Sequence, residues 1–244
     1  MKEILEQEYD KLDKLSITPT GKVNLLNNII QFKLHETEFT NFKNDLSIDI
    51  KRYLNSLVDL AENGPRKYDI INENKINELL ENVEYNDKIN YINYLIRILE
   101  KSSFKDDIKK FQKLRYKTIL KNSIDNHWSL KSICNIIIYF PLLNIYTLTT
   151  TLLFIVLIAN LILLPAPFKF MEFLNYKIEF INLSENYFLN HFTNVTSALI
   201  GVNNGFKITP LNIGSMILLV VGKIFIFAYV VSLIFNKLTD LIKR

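Results

Sequence analysis

The residue that poses the sharpest chemical question is Lys223. It is the only lysine, arginine or acidic side chain between Asn212 and Phe235, a stretch otherwise long and apolar enough to cross a bilayer. A charge at mid-membrane depth costs about 2.5–3.5 kcal/mol or more, so an ammonium there is expected to face water, an anion or a polar partner. Gly222 precedes it, and a glycine in mid-helix is a place where the helix can bend. Upstream, Val195-Thr196-Ser197-Ala198-Leu199-Ile200-Gly201-Val202-Asn203-Asn204 runs from a helical pattern into a glycine-bearing loop, followed by Gly205-Phe206-Lys207-Ile208-Thr209-Pro210. Irregular backbone between apolar segments is tolerated where it lines a water-filled cavity or is buried in protein. The chemistry implied is passage or coordination of small ions, with no bond making or breaking.

Covalent catalysis finds no support. His35, His127 and His191 share no metal-ligand spacing, and no Ser–His–Asp order, phosphate-binding loop or dinucleotide fingerprint occurs. Cys134 is the single cysteine, which excludes an internal disulfide framework and a cysteine-based zinc site. The expectation is a non-enzyme without cofactor or metal. His127-Trp128 marks a membrane interface, and His191 reads as a hydrogen-bonded packing residue. Thr147, Thr149, Thr150 and Thr151 are expected to satisfy helix carbonyls or neighbouring helices.

These residues need elements to hold them. Of the 54 charged residues in the 244-residue chain, 43 lie in residues 1–131, whereas Ser132–Phe168 contains none over 37 residues. The net charge of +4, spread evenly, argues against a nucleic-acid surface. Residues 1–128 therefore read as a helical sensor or docking domain of about five helices. Their stripes include Phe39, Phe42, Leu46, Ile50, Leu54, Leu57 and Leu60, then Ile89, Ile92, Ile96 and Leu99, then Phe104, Ile108 and Phe111. Gly64-Pro65 is expected to stop the first of these helices, and Ser16–Gly21 reads as a turn.

Residues 129–244 read as a membrane domain. Its parts are an interfacial helix over 129–140 with a wet face at Lys131 and Asn135, and a first span over 143–164 ended by Pro165-Ala166-Pro167. A re-entrant helix and loop over 184–210 follow, then a second span over 212–235. A single longer tilted helix would also fit the first part. Ser184-Glu185-Asn186 is a helix-start signal. Lys117, Lys121 and Lys131 before the first span, and Lys237, Lys243 and Arg244 after the second, place both termini in the cytoplasm of a multi-pass inner-membrane protein. The N-terminus has no apolar core of a signal peptide. The fold class is an all-α membrane protein, a cytoplasmic bundle followed by two spans with a re-entrant pore helix and loop.

In this order of elements the chain resembles the two-transmembrane, pore-loop cation channels, the potassium-channel-like family. The family motif is close to V-T-x-T-T-V-G-Y-G-D-I-T-P, against Val195-Thr196-Ser197-Ala198-Leu199-Ile200-Gly201-Val202-Asn203-Asn204 and Ile208-Thr209-Pro210 here. The resemblance implies a homotetramer in the lipid bilayer, permeant ions, and a filter at Thr196, Leu199, Ile200, Gly201, Val202, Asn203 and Asn204. Gly222 would serve as a gating hinge, and Lys223 would line the pore. Leu199 stands where the family has threonine, Asn203 where it has the second glycine, and Asn204 where it has the acid. Potassium selectivity therefore does not carry over. Four copies of Lys223 would oppose cations and favour anions. An unidentified cytoplasmic ligand or protein at the first domain would gate the pore, in the manner of a membrane-depolarising effector of bacterial antiviral defence. The alternative is a non-conducting, membrane-anchored adaptor whose helical domain docks a protein.

Overall fold

The computed structural model describes residues 2–12, 17–35, 43–63, 70–125, 129–164, 176–179, 184–200 and 207–242. The chain divides into two compact units, Met1–Tyr139 and Phe140–Arg244. Among the described residues the first holds six helices where about five were expected: α1 (Lys2–Leu12), α2 (Pro19–His35), α3 (Lys43–Asn63), α4 (Glu73–Leu79), α5 (Tyr85–Lys101) and α6 (Lys105–Asp125). A seventh, α7 (Leu130–Tyr139), packs on α6.

Periodicity makes this unit cohere. Leu46, Ile50, Leu54 and Leu57 of α3 and Ile92, Ile96 and Leu99 of α5 are buried in one apolar cluster with Leu26 and Ile30 of α2 and Phe111 of α6. The expected turn at Ser16–Gly21 is corrected in its second half. Thr18-Pro19 is a helix start, with proline in the first helical position where its missing N–H costs nothing. Gly21 N donates to Thr18 Oγ1 at 3.1 Å, completing the cap. Asn72 caps α4 in the same way, its Oδ1 accepting from Asn74 N at 2.9 Å and Lys75 N at 3.4 Å.

One charged group is fully inside. Lys33 (α2) is 3% exposed and Asp49 (α3) 2%. Lys33 Nζ donates to Asp49 Oδ2 at 2.6 Å and to Tyr9 Oη at 2.7 Å, while Tyr9 Oη donates to Asp49 Oδ2 at 2.5 Å. The three groups tie α1, α2 and α3 together. Burial first, and then the Asp49 hydrogen bond, push the Tyr9 phenol well above its usual range.

Helix α7 differs from the expected interfacial helix in one face. Asn135 is not wet. Its Nδ2 donates to Ser123 Oγ of α6 at 3.2 Å, and Tyr139 meets Tyr116 with ring centroids 5.5 Å apart. The exposed side lies opposite, apolar at Leu130, Ile133, Ile137 and Ile138 with the exposed Cys134, and Lys131 is exposed beside them, as expected. By its contacts α7 belongs with the first unit, although its composition groups it with the apolar half. A short 3-10 turn, Phe140–Leu142 around Pro141, separates it from the next helix, so one long tilted helix is excluded.

The second unit contains α8 (Ile145–Ile162), strand β1 (Tyr176–Glu179), α9 (Tyr187–Ile200), strand β2 (Lys207–Pro210) and α10 (Ile213–Ile242). Helices α8 and α10 are long and apolar enough to cross a membrane, over Ile145–Ile162 and Ile213–Phe235. Only 17% and 6% of those windows are buried within the chain. A core helix of a soluble protein would be covered by its own fold, whereas here Phe154, Leu157, Ile217, Ile224 and Phe227 stand exposed. The threonines behave as expected. Thr149, Thr150 and Thr151 each donate Oγ1 to the carbonyl four residues back, at 3.0, 2.9 and 2.8 Å. Thr147 forms a capping box with Asn144. The expected stops at Gly64-Pro65 and Pro165-Ala166-Pro167, and the His127-Trp128 pair, lie outside the described residues.

Candidate functional site

The second unit is organised around α9. Asn186 starts this helix as the sequence signal implies, its Oδ1 accepting from Leu189 N at 3.1 Å. Strands β1 and β2 flank it and pair antiparallel, Tyr176 opposite Pro210 and Glu179 opposite Lys207. Periodicity did not reveal this ribbon. Val195 of α9 is fully buried against Ala159 and Leu163 of α8, with Tyr176 and Ile208 from the two strands completing the cluster.

A polar seam runs beside that contact. His191 is 3% exposed, and its Nε2 lies 3.0 Å from the carbonyl oxygen of Asn160 in α8. The hydrogen-bonded packing role expected for His191 is the one observed. Asn194, fully buried, donates Nδ2 to the Asn190 carbonyl at 2.7 Å and to Asn190 Oδ1 at 3.2 Å. Asn160 is buried too. Its Nδ2 donates to Val156 O at 2.9 Å, and its Oδ1 is buried without a partner among the described residues. Sequence reasoning missed Asn160; its signal was a lone carboxamide in an otherwise aliphatic segment. An apolar surrounding raises the cost of each unmade bond, so such a seam holds the two helices in a single register.

The residues proposed from the sequence divide into three groups. Gly222 and Lys223 lie on α10 and line a cavity of about 260 Å³. Its other walls include Ile155, Ile158 and Ile162 of α8, Val195 of α9, Tyr176 and Leu219. Thr196 lies in α9, and its Oγ1 is buried without a partner among the described residues. Leu199 and Ile200 are the last two residues of α9. Gly201, Val202, Asn203 and Asn204 lie outside the described residues, so of the proposed set only Gly222 and Lys223 are seen together.

Lys223 stands ten residues into α10, about 15 Å along the axis at 1.5 Å per residue, a distance equal to half the thickness of a hydrocarbon core of about 30 Å. No carboxylate among the described residues pairs with it. The cavity walls beside it are aliphatic apart from Tyr176, whose Oη donates to the Ser215 carbonyl at 3.4 Å. A Cβ added to Gly222 would meet nothing within 4 Å. Close packing therefore does not require glycine there, although it costs about 1 kcal/mol of helix propensity relative to alanine. Chemically, the arrangement offers one basic side chain on an otherwise apolar wall. No cluster of three or more His, Cys, Asp or Glu side chains able to hold a metal occurs among the described residues.

No protein-family model matches the chain, and neither a characterised protein nor a solved structure is similar to it.

Proposed function

We propose that the chain is an oligomeric ion-conducting membrane protein, a homotetramer by its resemblance to pore-loop channels. Its second unit would surround the conduit, and its helical first unit would gate it. The observation that carries this reading is Lys223: an unpaired ammonium at mid-helix, beside a sterically unnecessary glycine, in a helix whose outer surface is almost wholly apolar. A charge so placed is tolerated when water or a mobile ion solvates it, and oligomerisation around α10 supplies that water. The same charge makes the conduit prefer anions. Helix α7 enters this proposal as the element that meets the bilayer surface.

A membrane-anchored adaptor is the competing reading. It draws on the fact that the cavity beside Lys223 is walled by α8 of the same chain, which gives the side chain a place away from any conduit. Purified protein in a planar bilayer under a tenfold KCl gradient separates the two. The expected result is a current that reverses near the chloride equilibrium potential, about 59 mV from zero, and Lys223→Gln should move the reversal toward zero. A current reversing at the potassium potential overturns the role given to Lys223. No current, in protein whose first unit is folded and engaged, overturns the pore.

A further inference from the structure

Helix α2 carries a polar row that runs from the exposed Thr20 and Asn24 to the half-buried Asn27 and Gln31. Thr20, Asn24, Asn27 and Gln31 recur at intervals of four, three and four, one face of a helix. They line one wall of a cleft of about 390 Å³ in the first unit. The opposite wall is α4 with its cap, presenting Asn72, Lys75 and Glu78, and the floor is Leu57 and Leu60 of α3. The volume lies within the range of small-molecule sites. The carboxamides of Asn24, Asn27 and Gln31 have no hydrogen-bond partner among the described residues, and Asn27 and Gln31 are half-buried. Asn72 also lines the cleft, its Oδ1 taken up by the α4 cap.

We propose that this cleft binds a small molecule carrying a nucleobase, a nucleoside or nucleotide. A carboxamide offers a donor and an acceptor side by side, which is the complement of a base edge such as the N6 and N7 positions of adenine. Three of them on one helix face, above an aliphatic floor, fit a flat ring with hydrogen-bonding groups on its rim. Glu78 supplies an acceptor for sugar hydroxyls, and Lys75 a cation for a phosphate, from adjacent turns of the opposite wall. A purely apolar ligand would leave the carboxamides unsolvated, and an inorganic anion would meet one lysine beside a glutamate. As a binding site the cleft stands by itself; as the signal that gates the pore it rests on the function proposed above.

The test uses the full chain in detergent, titrated calorimetrically with adenosine, guanosine, cytidine, uridine and their monophosphates, with ribose 5-phosphate and inorganic phosphate as base-free probes. Binding is expected for at least one base-bearing ligand and for neither base-free probe. Asn27→Ala with Gln31→Ala should weaken it about five- to thirtyfold, one to two lost hydrogen bonds, without lowering the melting temperature of the free protein. Lys75→Ala should weaken the monophosphate and spare the nucleoside. No binding by any base-bearing ligand, equal binding of ribose 5-phosphate, or unchanged affinity in the double variant overturns the proposal. Since no ion flux is measured, a chain that binds and does not conduct refutes the pore alone. A chain that conducts and binds none of these refutes the cleft alone.

Discussion

Asp49→Asn is the substitution whose cost the structure specifies most closely. It preserves shape and removes one charge from a site where Lys33 and Asp49 are 3% and 2% exposed. The ammonium of Lys33 then remains buried without a counter-charge, with Tyr9 Oη at 2.7 Å, the Tyr9 ring centroid at 5.2 Å and a neutral carboxamide beside it. Breaking a buried pair from one side costs about 3–5 kcal/mol, since the survivor is left uncompensated. A domain of ordinary stability has about 5–15 kcal/mol in total, so the loss ranges from about a fifth to the whole of what holds this unit folded. The assay is urea unfolding of the full chain in detergent, followed by helical circular dichroism, with an expected fall in midpoint at unchanged slope. The triple variant Tyr9→Phe, Lys33→Met, Asp49→Leu removes every polar member and should match or exceed the wild type, because the desolvation cost disappears with the charges. If Asp49→Asn costs less than about 1 kcal/mol, or if the single losses simply add in the triple variant, the three groups are not coupled and the reasoning fails.

Three further outcomes are expected. His191→Ala, which removes the hydrogen bond to the Asn160 carbonyl, should lower the thermal midpoint of the second unit by an amount equivalent to about 1–3 kcal/mol; an unchanged midpoint would mean α8 and α9 are held by Val195 alone. The Tyr9 phenol titrates well above its usual range, so its contribution to stability is intact below about pH 10 and is lost as pH climbs above that value, where the unfolded chain releases the proton first. Tyr53 and Tyr85 are raised in the same direction by burial, so Tyr9→Phe should reduce that alkaline slope without abolishing it, as pH-dependent melts would show. A spin label on Cys134, the chain's single cysteine, should show greater access to oxygen than to a water-soluble nickel complex when the protein is in vesicles. The reverse order would mean the apolar stripe of α7 faces water.

Much of the architecture was legible because its causes are local. The charge-free run Ser132–Phe168 and the apolar segment around Lys223 define α8 and α10, since hydropathy over about 20 residues is a property of neighbours in sequence. Helix starts at Asn186 and the threonine bonds of α8 follow from side chains reaching three or four residues along the chain. The start of α2 was misread because Thr-Pro serves equally as a turn and as a helix entrance, and only the capping bond to Gly21 distinguishes them.

What depended on tertiary structure is every feature made by residues distant in sequence. The pairing of Tyr176–Glu179 with Lys207–Pro210 joins two four-residue strands too short to show a period of two. Lys33 and Asp49 read as ordinary surface charges until α2 and α3 enclose them, and Asn135 reads as wet until Ser123 of α6 meets it. The cleft bearing Asn24, Asn27 and Gln31 exists only because α4 stands opposite α2, and the walls beside Lys223 come from α8 and α9 as well as α10. Sequence by itself determines which segments are apolar, where helices begin and which residues carry charge. Which of those charges and carboxamides meet a partner, an open cleft or a cavity is decided by packing, because desolvation depends on what the rest of the chain brings alongside.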